Sequence, residues 1–155
     1  MAGLREADGT RSVVGRPDEP RPATEAHPAT EVVLTVEQPD IPLAAELRRT
    51  LTERLADLGQ GTLDVLHLVC GEFLANAREH GGGLRGLRVW RTNTASVLLV
   101  EVDDHNPGDP VVKPKDVEAV TGRGMFLVQT LALAWGAVPN AGGKTVWALV
   151  PCEQA

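Results

Sequence analysis

Aromatic side chains are scarce in this 155-residue chain, which has two Phe, three Trp and no Tyr. It therefore lacks a platform on which nucleic-acid bases could stack. A formal net charge of −6 also leaves it without the basic footprint that phosphate backbones require. We expect no direct nucleic-acid partner.

Long apolar runs are missing as well. No stretch approaches the roughly 18 residues that a membrane-spanning helix needs, and the N-terminus has no apolar core typical of a secretory signal. The chain has only two cysteines, too few for a disulfide framework. These absences predict a cytoplasmic protein without a membrane partner.

The composition changes near residue 30. Residues 1–29 are rich in proline and charge and poor in large apolar side chains, which predicts a disordered tail. Residues 30–152 are long enough for one domain with its own core. Within them, period-2 and helical patterns predict strands at 31–37, 87–91, 97–102, 135–138 and 145–150, and helices at 40–58, 62–80 and 125–134.

This order of elements predicts an α+β fold. Strands that are neighbours in sequence pair antiparallel, and three helices can cover one face of the resulting sheet. We therefore expect a two-layer α/β sandwich whose mixed, mostly antiparallel sheet carries its helices on one side. Asp40 and Thr62 are the predicted N-caps of the first two helices.

The second predicted helix holds the most informative pair of side chains. Its apolar residues recur every three or four positions, and Glu72 and Asn76 lie one turn apart at the edge of that stripe. A partly buried carboxylate can serve as a general base, and an amide oxygen can ligate a hard cation. Glu-x-x-x-Asn also arises by chance on many helices, so the pair alone does not define a site.

Two further features have the chemistry to bind an amine and a phosphate. Asp104 lies in a run of turn-forming residues just after the predicted strand 97–102, where its carboxylate can accept a hydrogen bond from an amine. Gly122 and Gly124 precede a helix, whose N-terminal amides suit phosphate. The glycines match neither a Rossmann fingerprint nor a P-loop.

Two weaker features have alternative interpretations. His67 and Cys70 have the spacing of half a metal site, but no second pair follows at a suitable distance. Arg48, Arg49 and Arg54 lie on the exposed side of the first predicted helix, where they are solvated or contact a partner.

Taken in order, four segments of the chain resemble the ATP-binding boxes of the Bergerat (GHKL) fold. They are residues 72–76, 102–108, 122–128 and 143–147. Within that fold the chain is most similar to anti-sigma factor serine/threonine kinases, small histidine-kinase-like ATPase domains of bacterial partner-switching systems. The resemblance extends over residues 31–150.

The resemblance implies ATP and Mg²⁺ as cofactors and gives roles to individual residues. Asn76 corresponds to the Mg²⁺ ligand and Glu72 to the base that takes a proton from a serine hydroxyl. Asp104 corresponds to the aspartate that reads the adenine amine, and Gly108 to the glycine that lets the chain approach the nucleotide.

The remaining nucleotide candidates lie in the last two boxes. The resemblance assigns Gly122 and Gly124 to the turn that holds the phosphates, with Arg123 adding positive charge. Lys144 stands where this fold often has a threonine that contacts adenine. Thr145 is kept as a candidate, although alternation along a strand turns it to the opposite face.

The resemblance also implies an activity and partners. The protein would phosphorylate an anti-sigma-factor antagonist on serine or threonine and sequester a sigma factor, and it would form a homodimer through its first strand and helix. The alternative is an ATP-responsive binding regulator that transfers no phosphate. Glu72 favours the kinase, whereas Lys144 favours the regulator.

Overall fold

The chain forms one five-stranded sheet with three helices. The computed structural model describes residues 28–37, 44–93, 96–108 and 123–153. The strands are β1 (Ala29–Glu37), β2 (Leu84–Thr92), β3 (Val97–Asp104), β4 (Ala134–Asn140) and β5 (Gly143–Pro151). The helices are α1 (Ala44–Arg54), α2 (Gln60–His80) and α3 (Arg123–Leu131).

The order of strands places β3 at the centre of the sheet. The order is β1-β2-β3-β5-β4, so β3 pairs with β2 on one side and with β5 on the other. All four pairings are antiparallel, which makes the sheet more regular than the mixed, mostly antiparallel sheet expected from the sequence. The predicted α+β sandwich is otherwise confirmed.

Alternation along β3 and β5 decides which side chains meet the helices. Val100 and Val102 of β3, with Val146 and Ala148 of β5, belong to the main core that the helices share. Their sequence neighbours on the odd positions form a smaller cluster on the other face, which includes Val97, Leu99, Trp147 and Leu149. The even positions 104 and 144 therefore lie on the helix side of the sheet.

Helix α2 packs its predicted stripe into the core. Its buried side chains include Leu66, Val69, Cys70, Phe73 and Ala77, which confirms the helical period of apolar residues. This face anchors the 21-residue helix against the sheet and α3. Glu72 and Asn76 lie beside the buried face and are only partly exposed.

The predicted start of this helix is wrong. α2 begins at Gln60, its N-cap is Gly59, and no side chain caps it. Thr62 is instead buried inside the first turn, where its hydroxyl accepts a hydrogen bond of 2.8 Å from the backbone N–H of Glu153. Thr62 therefore connects the helix to the chain after β5, a contact distant in sequence.

Other element boundaries move by a few residues. α1 ends at Arg54, although Leu55 and Leu58 beyond it remain buried. α3 runs over Arg123–Leu131, so it starts earlier and ends earlier than predicted, and β5 already begins at Gly143. None of the helices in the described part is long and apolar enough to cross a membrane.

Several predictions concern residues outside the described ranges. They are the tail up to residue 27, the Asp40 cap and Gly122. These remain predictions from the sequence.

Candidate functional site

The C-terminal end of α2 is joined to the end of β3. The backbone N–H of His105 donates to the carbonyl of Gly81 at 2.8 Å, and the side-chain amide of Asn106 donates to the carbonyl of His80 at 2.7 Å. These bonds satisfy carbonyls that a helix end leaves without intrahelical partners. They also fix the helix that carries Glu72 and Asn76 to the strand that ends in Asp104.

Because residue 81 is a glycine, the end of α2 can approach the side chain of Asp104 closely. A Cβ at this position would lie 2.5 Å from Oδ2 of Asp104 and 2.6 Å from its Cγ. The φ of Gly81 is −100°, which any residue can adopt, so the glycine is required here by space and not by backbone conformation. The predicted helix 62–80 ends just before Gly81, but the contact of Gly81 with Asp104 could not be predicted from local pattern.

Asp104 forms a buried ion pair with Lys144. The two residues are 3% and 2% exposed, respectively, and they are opposite each other in the pairing of β3 with β5. Nζ of Lys144 lies 2.8 Å from Oδ2 of Asp104 and donates to the carbonyl of Asn106 at 2.9 Å. Oδ1 of Asp104 accepts from the backbone N–H of Asn106 at 2.9 Å. Both carboxylate oxygens therefore have partners within the protein.

Asn106 organises the loop after β3. Besides its bonds to His80, Asp104 and Lys144, its side-chain oxygen accepts from the backbone N–H of Gly108 at 2.9 Å, which forms an Asx turn. Gly108 itself is exposed at the end of the described loop. No role for Asn106 was predicted from the sequence, whereas the structure gives it a positioning role.

Glu72 and Asn76 define the helix side of the site. Four residues along α2 correspond to a rise of about 6 Å, so the carboxylate and the amide emerge on successive turns of one face. Asn76 is in turn one helical turn before His80, at the junction with β3. Asn76 thus lies one turn, and Glu72 about two turns, before the end of α2 that is bonded to the chain after Asp104.

Helix α3 packs against α2 and supplies a helix N-terminus. It begins at Arg123, so Arg123 and Gly124 are its first two residues and do not form a separate turn before it. Backbone amides in the first turn of a helix lack intrahelical partners and favour anions. The side chain of Arg123 and all of Gly122 lie outside the described part.

Thr145 does not join this group. It is 3% exposed and belongs to the opposite face of the sheet, where its hydroxyl donates to Oδ1 of Asp103 at 2.6 Å and accepts from the amide of Asn140 at 3.0 Å. The alternation of β5 explains the difference, because adjacent residues 144 and 145 point to opposite faces.

Thr145 belongs instead to a polar network across the sheet. Arg88 donates two hydrogen bonds to Asp103, at 2.8 and 2.9 Å, and a third to Glu101 at 2.9 Å. Burial raises the pKa of the Asp103 carboxyl, but hydrogen bonds from Arg88 and Thr145 outweigh that effect and hold its pKa below the usual value. This network stabilises the sheet. Through Asn140 and Arg85 it reaches the backbone carbonyl of Asp104, which accepts from Nε of Arg85 at 2.8 Å.

The metal half-site suggested by His67 and Cys70 is not supported. Nε2 of His67 lies 3.0 Å from the hydroxyl of Thr52, and burial, with a smaller effect of Arg48, lowers the pKa of His67. Burial raises the pKa of the Cys70 thiol to about 12, so the thiolate that metals bind is disfavoured. No group of three or more His, Cys, Asp or Glu residues in the described ranges could hold a metal ion.

Residues 38–149 match the family model of the histidine kinase-like ATPase domain, and the chain belongs to that family. This confirms the similarity to GHKL-type ATPases and supports an ATP-binding regulatory function. No curated protein and no solved structure matches the chain.

The residues present fit Mg·ATP at one end only. Glu72 and Asn76 offer a carboxylate and an amide oxygen where the helix meets solvent, and α3 starts with amides that suit phosphates. The end at which the resemblance places adenine, beside Asp104, does not fit in this arrangement, because the carboxylate of Asp104 is buried and bonded to Lys144 and Asn106.

Proposed function

We propose that this protein is an ATP-binding anti-sigma regulatory factor with serine/threonine protein kinase activity in a bacterial partner-switching system. It phosphorylates an anti-sigma-factor antagonist and sequesters a sigma factor. The observation that supports this proposal is the placement of Glu72 and Asn76 on one partly exposed face of α2, in a helix fixed by its end to the strand of Asp104.

Each residue has a role in this proposal. Bound ATP supplies the phosphoryl group, with its charge neutralised by Mg²⁺. The amide oxygen of Asn76 holds the metal, and the amides at the start of α3 hold the phosphates. The carboxylate of Glu72 accepts the proton of the serine or threonine hydroxyl of the partner.

Nucleotide binding is tested first, by calorimetric titration with Mg·ATP. We expect a dissociation constant in the micromolar range or lower, and a loss of at least about tenfold in Asn76→Ala, which corresponds to about 1.4 kcal/mol. Arg78→Ala is the matched control, because Arg78 is exposed on the same helix and lies off this face. Unchanged affinity in Asn76→Ala would remove Asn76 from the site.

Phosphoryl transfer is tested separately. The wild-type protein is incubated with Mg·ATP labelled in the γ-phosphate and with each purified anti-sigma-factor antagonist encoded in the same genome. We expect Glu72→Gln to lower transfer by at least about a hundredfold while ATP affinity stays the same, because a neutral amide cannot act as the base. Glu53→Gln on the exposed side of α1 is the control. Transfer that persists in Glu72→Gln would exclude Glu72 as the base.

A second candidate function is an ATP-responsive regulator that binds its partners without transferring phosphate. The ion pair between Lys144 and Asp104 favours this alternative, because the pair occupies the end of the site where adenine would bind. Under this alternative, Mg·ATP changes the affinity for the partner proteins and no antagonist becomes labelled.

A further inference from the structure

We propose that the side chain of Lys144 occupies the adenine end of the nucleotide site, so that ATP must displace this side chain in order to reach Asp104. Lys144 would then lower the affinity of the protein for ATP, and contacts with the phosphates would contribute more to binding than contacts with adenine. This inference rests on the proposed function, since it assumes that ATP binds at the site formed by α2 and the end of β3.

The pairing of β3 with β5 fixes the position of Lys144. Register pairs it with Asp104 on the helix side, and the preceding Gly143 has a φ of 148° that L side chains rarely adopt. A Cβ on Gly143 would collide with the carbonyl oxygen of Asp104, so the two strands approach closely here. The ammonium group of Lys144 consequently lies directly beside the end of β3.

The contacts of Lys144 are those that a ligand amine would need. An exocyclic amine donates a hydrogen bond to a carboxylate oxygen, as the ammonium group of Lys144 does to Oδ2 of Asp104 at 2.8 Å. The second oxygen is already used by the N–H of Asn106, and Gly81 closes the side of the carboxylate next to the helix. The ammonium group of Lys144 and an incoming ligand amine therefore compete for one acceptor, Oδ2 of Asp104.

Burial makes this competition costly for the ligand. Asp104 and Lys144 are 3% and 2% exposed, so adenine cannot contact the carboxylate while the ion pair is intact. An incoming amine must first separate a buried ion pair and release the Lys144 bond to the Asn106 carbonyl. Each separated contact weakens binding of the base and leaves contacts of the triphosphate unaffected.

The experiment compares Lys144→Thr with wild-type protein in calorimetric titrations. The two probes are Mg·ATP, which has a base, and Mg·tripolyphosphate, which has none. We expect the variant to bind ATP at least about tenfold more tightly, which corresponds to about 1.4 kcal/mol, and to bind tripolyphosphate with unchanged affinity. Arg91→Thr is the matched control: it also removes one positive charge, from an ion pair with Asp57 remote from the site, and should change neither affinity.

The other outcomes overturn the inference in distinguishable ways. Equal ATP affinity in wild type and Lys144→Thr means that Lys144 does not obstruct the base, while the proposed function stands. Weaker ATP binding in the variant means that Lys144 contacts the nucleotide directly. A parallel change with both probes places its effect at the phosphates. Binding of neither probe by either protein refutes the proposed function together with this inference.

A second variant covers the case in which Lys144→Thr fails to fold, since it leaves Asp104 buried without its counter-ion. Lys144→Gln is neutral but keeps an amide donor near Asp104 and Asn106. We expect it to bind ATP more tightly than wild type and tripolyphosphate equally, with circular dichroism confirming the fold. If Lys144→Gln folds and binds ATP no better than wild type, the inference is wrong.

Discussion

Gly81 offers a sharp test of how the site is held together. In Gly81→Ala the new Cβ would lie 2.5, 2.6 and 2.8 Å from Oδ2, Cγ and Cβ of Asp104. Carbon atoms in contact are normally separated by about 3.5–4.0 Å, so Asp104 or the helix end must move by about 1 Å. Asp104 cannot rotate away freely, because both of its oxygens are bonded to Lys144 and Asn106.

The cost of this crowding can be estimated. Insertion of a methyl group into a well-packed site typically costs about 1–3 kcal/mol, and separation of the Asp104–Lys144 pair would add to it. Gly71→Ala is the matched control in the same helix, since no atom lies within 4 Å of its added Cβ. It should stabilise the protein by about 0.5–1 kcal/mol through helix propensity. The two variants should therefore differ by about 1.5–4 kcal/mol.

Urea unfolding measures this difference directly. The buried Trp135 and Trp147 provide a fluorescence signal, and midpoints at constant slope give the free energies of unfolding. We also expect weaker Mg·ATP binding in Gly81→Ala if its helix end moves. Equal stability of Gly81→Ala and Gly71→Ala would refute the argument that Asp104 is packed against the helix end.

Two other predictions follow from the buried polar groups. Arg88→Ala should lower the free energy of unfolding at pH 7 by about 3 kcal/mol, because it leaves Asp103 and Glu101 without their cation. Because folding lowers the pKa of Asp103, its contribution to the free energy of unfolding is present above the ordinary aspartate pKa and is lost as pH falls below about 4. The free energies of unfolding of wild type and variant, measured with urea, should therefore converge at low pH. A difference between them that does not change with pH would contradict this. In Cys152→Ser protein, the remaining Cys70 thiol should react with a thiol reagent at pH 8 only as fast as the protein opens, because burial raises its pKa to about 12. Rapid labelling of the native variant, with urea-unfolded protein as the reference, would show that Cys70 is accessible.

The sequence alone determined those features that depend on neighbours along the chain. The period of apolar residues located α2 and put Glu72 and Asn76 on one edge of it, because three- and four-residue spacing is a property of any α-helix. Turn-forming residues placed the end of β3 at Val102, shortly before its observed end at Asp104, and alternation predicted that Thr145 would face away from residue 144. The ordered boxes identified the family, since their spacing reflects a shared fold.

Only the tertiary structure decided the contacts between distant segments. The sequence indicated Thr62 as a cap, yet the structure buries its hydroxyl against the chain after β5. It indicated Gly81 as a helix end and Lys144 as a departure from the family pattern, but neither assignment contained their shared contact with Asp104. Such contacts arise from strand register and from how closely a helix packs on a sheet. Residues far apart in sequence determine both, so no local pattern can specify them.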